Sequence, residues 1–180
     1  MLGAREIGSL RRDDFHETPE IAIRGLLSVE AFTGPIWEPA CGHGAISRML
    51  EDAGHEVIST DLVERGYGTG RVDFLMEFAP RSPNIVTNPP FKLAAEFARR
   101  AVALTTGKVA LLCRLGWLEG RERGQMFAEN PLARVWVFSG RLPMMHRNGY
   151  DGPKSTSAIA FAWFVWDKAH AGRPTLGWLP

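Results

Sequence analysis

Short apolar runs alternate with amphipathic segments along most of the chain. Apolar residues recur at helical spacing after Thr18-Pro19, where Thr18 can cap a helix, and again between Gly44 and Gly54. Runs without helical period, rich in β-branched and aromatic residues, lie between these segments and predict buried strands. The predicted strands are 36–39, 55–60, 72–74, 85–87, 109–113, 134–139 and 158–166.

Strands that alternate with helices predict a mainly parallel sheet with helices on both faces, because parallel neighbours need a crossover connection. No helix-like segment separates the last two predicted strands, so we expect them to form an antiparallel pair. The pattern therefore predicts an α/β fold whose seven-stranded sheet is mainly parallel, with an antiparallel last strand.

The composition is that of one globular domain. The 180 residues, of which 45% are hydrophobic and 23% charged, fit a single domain over residues 1–180. The net charge of +1 excludes a broadly cationic protein, so any contact with nucleic acid requires a local basic patch. Cys41 and Cys113 lie in no metal-binding motif, and no apolar run could span a bilayer. We expect a cytoplasmic protein without a metal site, and its oligomeric state stays open.

The segment Asn88-Pro89-Pro90-Phe91 directly follows a predicted strand. Each proline has a fixed φ and no N–H donor, and a residue before proline is pushed towards extended geometry. The result is a stiff, non-helical tip that presents one amide side chain, carbonyl oxygens and one aromatic ring. Taken alone, the segment is better explained as a strand-to-helix turn with Phe91 in the core, so the residues upstream must decide.

Three upstream segments carry residues suited to a nucleotide-like ligand. The turn 40–44 contains two glycines, which let a ligand approach the backbone near a helix N-terminus. Glu38 would repel phosphates there and suits a ligand with a positive charge. Asp61 ends a strand where an acid typically holds ribose hydroxyls, and Asp73-Phe74 offers a carboxylate for an exocyclic amine and a ring for stacking. Each segment alone also fits a structural role, as a packing turn, a cap or a surface acid.

In this order, the segments resemble the S-adenosylmethionine-dependent amino-methyltransferases of the DNA adenine-N6 type. The resemblance covers the motifs of roughly residues 18–91 and only the architecture of 113–166, and it is closest to small stand-alone phage enzymes without a separate target-recognition domain. It implies a Rossmann-like methyltransferase fold, S-adenosylmethionine as cofactor, no metal, and DNA as partner. The residues that it implies for cofactor binding are Thr18, Glu38, Pro39, Ala40, Cys41, Gly42, Gly44, Asp61, Asp73 and Phe74.

The resemblance also implies that the tip Asn88, Pro89, Pro90 and Phe91 is catalytic. Adenine N6 is a poor nucleophile because its lone pair is delocalised into the ring. Two stiffly held acceptors, the Asn88 side-chain oxygen and the Pro89 carbonyl, would favour the pyramidal geometry that frees this lone pair. Phe91 would stack on the flipped base. The same logic serves other planar nitrogens, so RNA adenine, a protein glutamine amide and a non-catalytic nucleic-acid-binding module stay open as alternatives.

The segment 139–157, between the last two predicted strands, is too long for a tight hairpin. One interpretation is a solvated surface loop. The other places it beside the Asn88 tip, because ligands bind at this edge of open α/β sheets. Its cations would then hold backbone phosphates, and its tyrosine would stack on the flipped base or fill the gap that the base leaves. The residues expected to contact nucleic acid are Arg141, Arg147, Tyr150 and Lys154.

Overall fold

The computed structural model of the protein describes residues 17–144 and 159–180. The helices of these residues are α1 Glu20–Val29, α2 Ala45–Asp52, α3 Ala94–Leu104 and α4 Arg121–Glu129, and short 3₁₀ helices cover Phe74–Met76, Phe91–Leu93 and Leu115–Leu118. The strands are β1 Ile36–Glu38, β2 Val57–Ser59, β3 Asn84–Thr87, β4 Lys108–Arg114, β5 Arg134–Phe138, β6 Phe161–Asp167 and β7 Thr175–Leu179.

The strands form one seven-stranded sheet in the order β2-β1-β3-β4-β6-β5-β7. Strand β6 is antiparallel to both neighbours, β4 and β5, and the other paired strands are parallel. The predicted α/β class and mainly parallel sheet are confirmed, and so is the antiparallel pairing of the two strands predicted last, now β5 and β6.

Two details of the predicted sheet are wrong. Residues 72–74 form no strand, because the Asp73 carboxylate accepts a bond from the Leu75 N–H at 3.1 Å and caps the 3₁₀ helix that begins at Phe74. Strand β7 was not predicted, and it pairs parallel with β5, so the antiparallel strand is the last but one. Its five residues contain no uninterrupted apolar run, because Gly177 separates Leu176 from Trp178. Gly177 leaves room for the Trp136 ring, which would lie 2.1 Å from a Cβ atom added at this position.

Side chains that alternate along the central strands build one core on each face of the sheet. Ile85 and Leu111 point to the face covered by α3 and α4, and Val86 and Leu112 point to the face covered by α1 and α2. All four side chains are fully buried. Burial on both faces explains why these strands read as continuous apolar runs rather than as an alternating pattern.

The topology brings the ends of non-neighbouring segments together at one edge. Every strand except β6 points the same way, so the carboxyl ends of β1, β2, β3, β4 and β5 share an edge with the first residue of β6, Phe161. The turn after β1 and the Asn88 tip after β3 both leave the sheet at this edge. We call it the carboxyl edge and the opposite one the amino edge.

Candidate functional site

A cleft opens at the carboxyl ends of β1, β2 and β3. It contains about 780 Å³ of empty space including its open mouth. The structure therefore brings together residues that are far apart in the sequence. The predicted site residues that line the cleft are Thr18, Glu38, Pro39, Ala40, Cys41, Asp61, Asp73, Phe74, Asn88 and Pro90.

The turn after β1 depends on left-handed backbone at two glycines. Gly42 has φ 56° and Gly44 has φ 85°, values that side chains rarely tolerate. The Gly44 N–H closes the turn on the Cys41 carbonyl at 2.7 Å. A Cβ on Gly44 would lie 2.5 Å from the Tyr67 ring, so this glycine admits the Tyr67 loop against the turn. Among the described residues, neither Gly42 nor Gly44 lines the cleft.

Asp61 ties the turn to the end of β2. One of its carboxylate oxygens accepts from the Gly42 N–H and the other from the Val63 N–H, each at 2.8 Å. The Arg65 Nε lies 3.9 Å from the same carboxylate, which is a long ion pair. The carboxylate is buried and lines the cleft. Its position is set by the Gly42 and Val63 backbone N–H groups, one on each oxygen.

Glu38 is the last residue of β1 and is only 1% exposed. Its carboxyl group accepts a hydrogen bond from the Ser47 hydroxyl, which also lies 2.7 Å from the Ser59 hydroxyl. Burial raises the pKa of Glu38 to about 8, the Ser47 bond offsets this only in part, and the nearby carboxylates of Asp61 and Glu51 raise it further. No described cation pairs with Glu38, so its carboxyl group is mostly protonated at neutral pH.

Cys41 lies in the same turn and has no sign of reactivity. It is buried, and burial together with the charges of Glu38 and Asp61 raises the pKa of its thiol to about 12. A thiol in this state is not a nucleophile at neutral pH. Its place in the cleft is that of a small apolar wall.

Phe74 lies at the apolar end of the cleft. Its ring is almost fully buried and packs edge-on against Trp37, with ring centres 5.1 Å apart. It also packs in a tilted orientation against Phe97, with ring centres 4.9 Å apart. Leu93 and Phe97 line the cleft beside it, and sequence reasoning did not assign them to the site. This wall is suited to a flat, apolar group such as a purine.

The Asn88 tip forms another wall of the cleft. The Asn88 side-chain amide donates a hydrogen bond to the Thr18 hydroxyl at 3.1 Å, which fixes the amide relative to a residue 70 positions away. Thr18 is buried, and Pro19 rather than Thr18 is the N-cap residue of α1. The Pro90 carbonyl accepts from the Leu93 N–H at 2.9 Å, so the chain turns directly into a 3₁₀ helix.

Pro89 and Phe91 lie beside the cleft rather than in its described lining. Pro89 is buried, and the Phe91 ring packs against Phe161 with ring centres 5.7 Å apart. The guanidinium carbon of Arg114 lies 4.6 Å from the centre of the Phe91 ring. Sequence reasoning missed Arg114, because the pairing of β4 with β3 and β6 brings it to this ring.

The segment predicted to contact nucleic acid lies in the sequence between β5, which ends at Phe138, and β6, which begins at Phe161, and both of these strand ends are at the carboxyl edge. Arg141 is exposed there. Arg147, Tyr150 and Lys154 lie outside the described residues, so their role stays a prediction.

Within 17–144 and 159–180, no three His, Cys, Asp or Glu side chains come close enough to hold a metal ion. No helix in these ranges has the length and apolar character needed to cross a membrane.

Solved structures share this fold. The chain is similar to the methyltransferase subunit of a type I restriction-modification system from Streptococcus thermophilus, with a TM-score of 0.63 and 13% identity over 93% of this chain and 48% of that one. It is also similar to magnesium protoporphyrin IX methyltransferase from Synechocystis PCC 6803 with bound S-adenosylmethionine, with a TM-score of 0.56 and 14% identity over 82% and 76% of the two chains. A third is a 23S rRNA methyltransferase, with a TM-score of 0.57 and 15% identity over 89% and 71%.

These likenesses confirm the predicted Rossmann-like methyltransferase fold. Identities of this size show the fold alone, and the chain spans about half the length of the restriction-type subunit. No family model matches the sequence, and no curated protein matches it.

Proposed function

We propose that the chain binds S-adenosylmethionine in the cleft and methylates an amino nitrogen of a nucleic acid, with adenine N6 in DNA as the acceptor. The observation that carries this proposal is the position of Asn88. The tip that follows β3 lies on the wall of the same cleft as Glu38 and Asp61, although 50 and 27 residues separate them in the sequence. The likeness in fold to methyltransferases, one of them with this cofactor bound, supports it.

The residues that line the cleft match the chemistry of the cofactor. Asp61 follows β2, the usual place for an acid that holds ribose hydroxyls, and Phe74 and Phe97 provide flat apolar walls for adenine. Glu38 is a buried carboxyl group whose desolvation no described cation offsets. A ligand with positive charge would favour its ionised form, and both the amino group and the sulfonium of S-adenosylmethionine are cationic.

The role of the tip is to hold the acceptor nitrogen. When bound, S-adenosylmethionine supplies a sulfonium methyl group that an amine lone pair can attack. The Asn88 amide is fixed by its bond to Thr18, and the prolines remove the freedom of the backbone that follows. The Asn88 Oδ1 and the Pro89 carbonyl accept from the two N6 protons, which favours the pyramidal nitrogen. Their orientation before the acceptor arrives is the source of the rate advantage.

Labelled methyl transfer tests the proposal. The protein is incubated with labelled cofactor and separate DNA, RNA and protein acceptors, and the product is digested and identified. We expect N6-methyladenine in DNA. Labelled RNA adenine or protein glutamine instead would replace the acceptor class, and cofactor binding without any transfer would leave a non-catalytic binding module.

Asn88→Ala separates chemistry from binding. Loss of one positioned acceptor should lower the single-turnover rate by about 10²-fold or more. Cofactor affinity should be unchanged, because Asn88 faces the acceptor in the proposal. Asn130→Ala at the end of α4 is the matched control and should keep the rate. A wild-type rate in the Asn88 variant would contradict the assigned role.

A further inference from the structure

Arg114 lies where the acceptor must arrive. It is the last residue of β4, at the carboxyl edge, and its side chain is exposed. Strand β4 is the direct neighbour of β3, which leads into the Asn88 tip. The register of β4 with β6 pairs Arg114 with Phe161, and these two residues contact the Phe91 ring together.

No carboxylate among the described residues neutralises the charge of Arg114. Among residues 17–144 and 159–180, Arg114 forms no ion pair with a carboxylate. Its guanidinium carbon lies 4.6 Å from the centre of the Phe91 ring. Arg134 shows the opposite arrangement, since Glu30 and Asp167 hold its guanidinium at the amino edge. An exposed cation on an aromatic face is held weakly enough for a stronger anionic ligand to displace it.

The guanidinium matches both parts of a nucleotide. It is flat, so it stacks on aromatic rings as a base does, and its N–H fork matches the oxygens of a phosphate. On Phe91 it therefore occupies the surface on which the flipped base would stack in the proposed reaction. A base that arrives with its phosphate offers the ring a replacement and the cation a better partner.

We infer that Arg114 is an acceptor-positioning residue: its guanidinium covers Phe91 until a DNA strand binds, then moves to a backbone phosphate while the target base takes its place on the ring. This inference rests on the proposed methyl transfer to DNA. It adds a cation from β4 to the one that Arg141 supplies after β5, so that the carboxyl edge carries a local basic patch despite the net charge of +1.

Binding of a fluorescein-labelled, adenine-containing oligodeoxynucleotide, measured by anisotropy over a range of salt, tests the inference. Arg114→Ala should weaken binding and lower the slope of log affinity against log salt by about 0.7–0.9, the value for one phosphate contact. Arg114→Lys should keep the slope, because it keeps the charge, but should still raise KM, because an ammonium lacks the N–H fork that matches the oxygens of a phosphate. Cofactor affinity should be equal in all three proteins.

Arg173→Ala is the matched control, since it removes an exposed arginine from the amino edge. It should bind and methylate DNA as the wild type does. If wild-type protein methylates DNA while Arg114→Ala keeps its KM and salt slope, the inference is wrong and the proposed function stands. If wild-type protein methylates only RNA or protein, the proposed acceptor fails and the inference fails with it. Thermal unfolding of each variant excludes misfolding as the cause of a loss.

Discussion

Two buried glutamates lie at opposite edges of the sheet and have opposite electrostatic surroundings. Glu30, at the amino edge, accepts hydrogen bonds from Lys108 at 2.7 Å, from Trp136 at 2.9 Å and from Arg134. Burial alone would raise the pKa of Glu30, but these bonds outweigh it and hold the pKa below its ordinary value. Asp167 completes the network by pairing with Arg134 at 2.7 Å.

Glu38, at the carboxyl edge, is as deeply buried, but the described hydrogen bonds to its carboxyl group come from one neutral residue, Ser47, through its hydroxyl and its backbone N–H. The pKa of Glu38 is raised to about 8, whereas the pKa of Glu30 is lowered. The difference separates a structural carboxylate from a functional candidate. The protein neutralises the first by itself, whereas the second has a favourable charged state only when a ligand brings positive charge.

The largest effect is expected from Glu30→Gln. It leaves Lys108 and Arg134 without their central carboxylate, and breaking a buried ion pair from one side typically costs about 3–5 kcal/mol. We expect the lower end, about 3 kcal/mol, because both cations keep about a fifth of their side-chain surface exposed. Denaturant unfolding measures the loss, and cofactor affinity of the folded variant should not change.

Glu20→Gln is the control for this prediction. Glu20 pairs with Arg24 on the surface at 3.5 Å, and both side chains are mostly exposed. Such pairs contribute about 0–1 kcal/mol, so this variant should unfold almost as the wild type does. Equal unfolding midpoints for the two variants would mean that the network at Glu30 is not structural in the sense proposed.

The next effect is on ligand binding at the other edge. Asp61→Ala should weaken cofactor binding by about 1–3 kcal/mol, because a buried hydrogen bond to ribose is lost along with the bonds that hold the Gly42 and Val63 amides. Calorimetry measures the affinity. Asp52→Ala, which removes an exposed carboxylate from the end of α2, is the matched control and should leave the affinity unchanged. Unaltered binding by the Asp61 variant would remove this residue from the cofactor site.

The sequence predicted the parts of the fold that local pattern determines. Buried central strands such as 85–87 and 109–113 are continuous apolar runs, and α3 has a clear helical period. Strand β7 was not predicted because it is the outermost strand of the sheet. Its Leu176 and Trp178 side chains are exposed, and Gly177 interrupts the apolar pattern. Nothing local distinguishes such a strand from a loop.

The site was predictable where residue type and strand ends coincide, as at Glu38, Asp61 and Asn88. Contacts between distant segments were not. The hydrogen bond from Asn88 to Thr18 spans 70 positions. The hydrogen bonds to Glu30 come from residues that lie 78 to 106 positions further along the chain. Only the order of the strands brings these groups together, and one sequence contains no direct signal of that order.

The smallest effect distinguishes the two glutamates by pH. Folded protein keeps a proton on Glu38 up to about pH 8, whereas the unfolded chain releases it near the ordinary value of 4.5. The contribution of this group to stability is therefore complete below 4.5 and falls as pH rises through this window. Between about pH 7 and pH 8 the wild type should lose about 1 kcal/mol relative to Glu38→Gln, which carries no such proton.

Denaturant unfolding of both proteins at the two pH values measures the difference, and the histidines that they share cancel in the comparison. Bound cofactor should remove this pH dependence of stability, because its positive charge favours ionised Glu38. The affinity of the wild type for S-adenosylmethionine should thus rise with pH across the window, and that of Glu38→Gln should stay flat. Glu30→Gln offers the contrast, since Glu30 is already ionised in this range and its removal should add no pH dependence between about pH 7 and pH 8. If wild type and Glu38→Gln lose stability equally, Glu38 is charged in the folded protein and the two edges do not differ as the structure indicates.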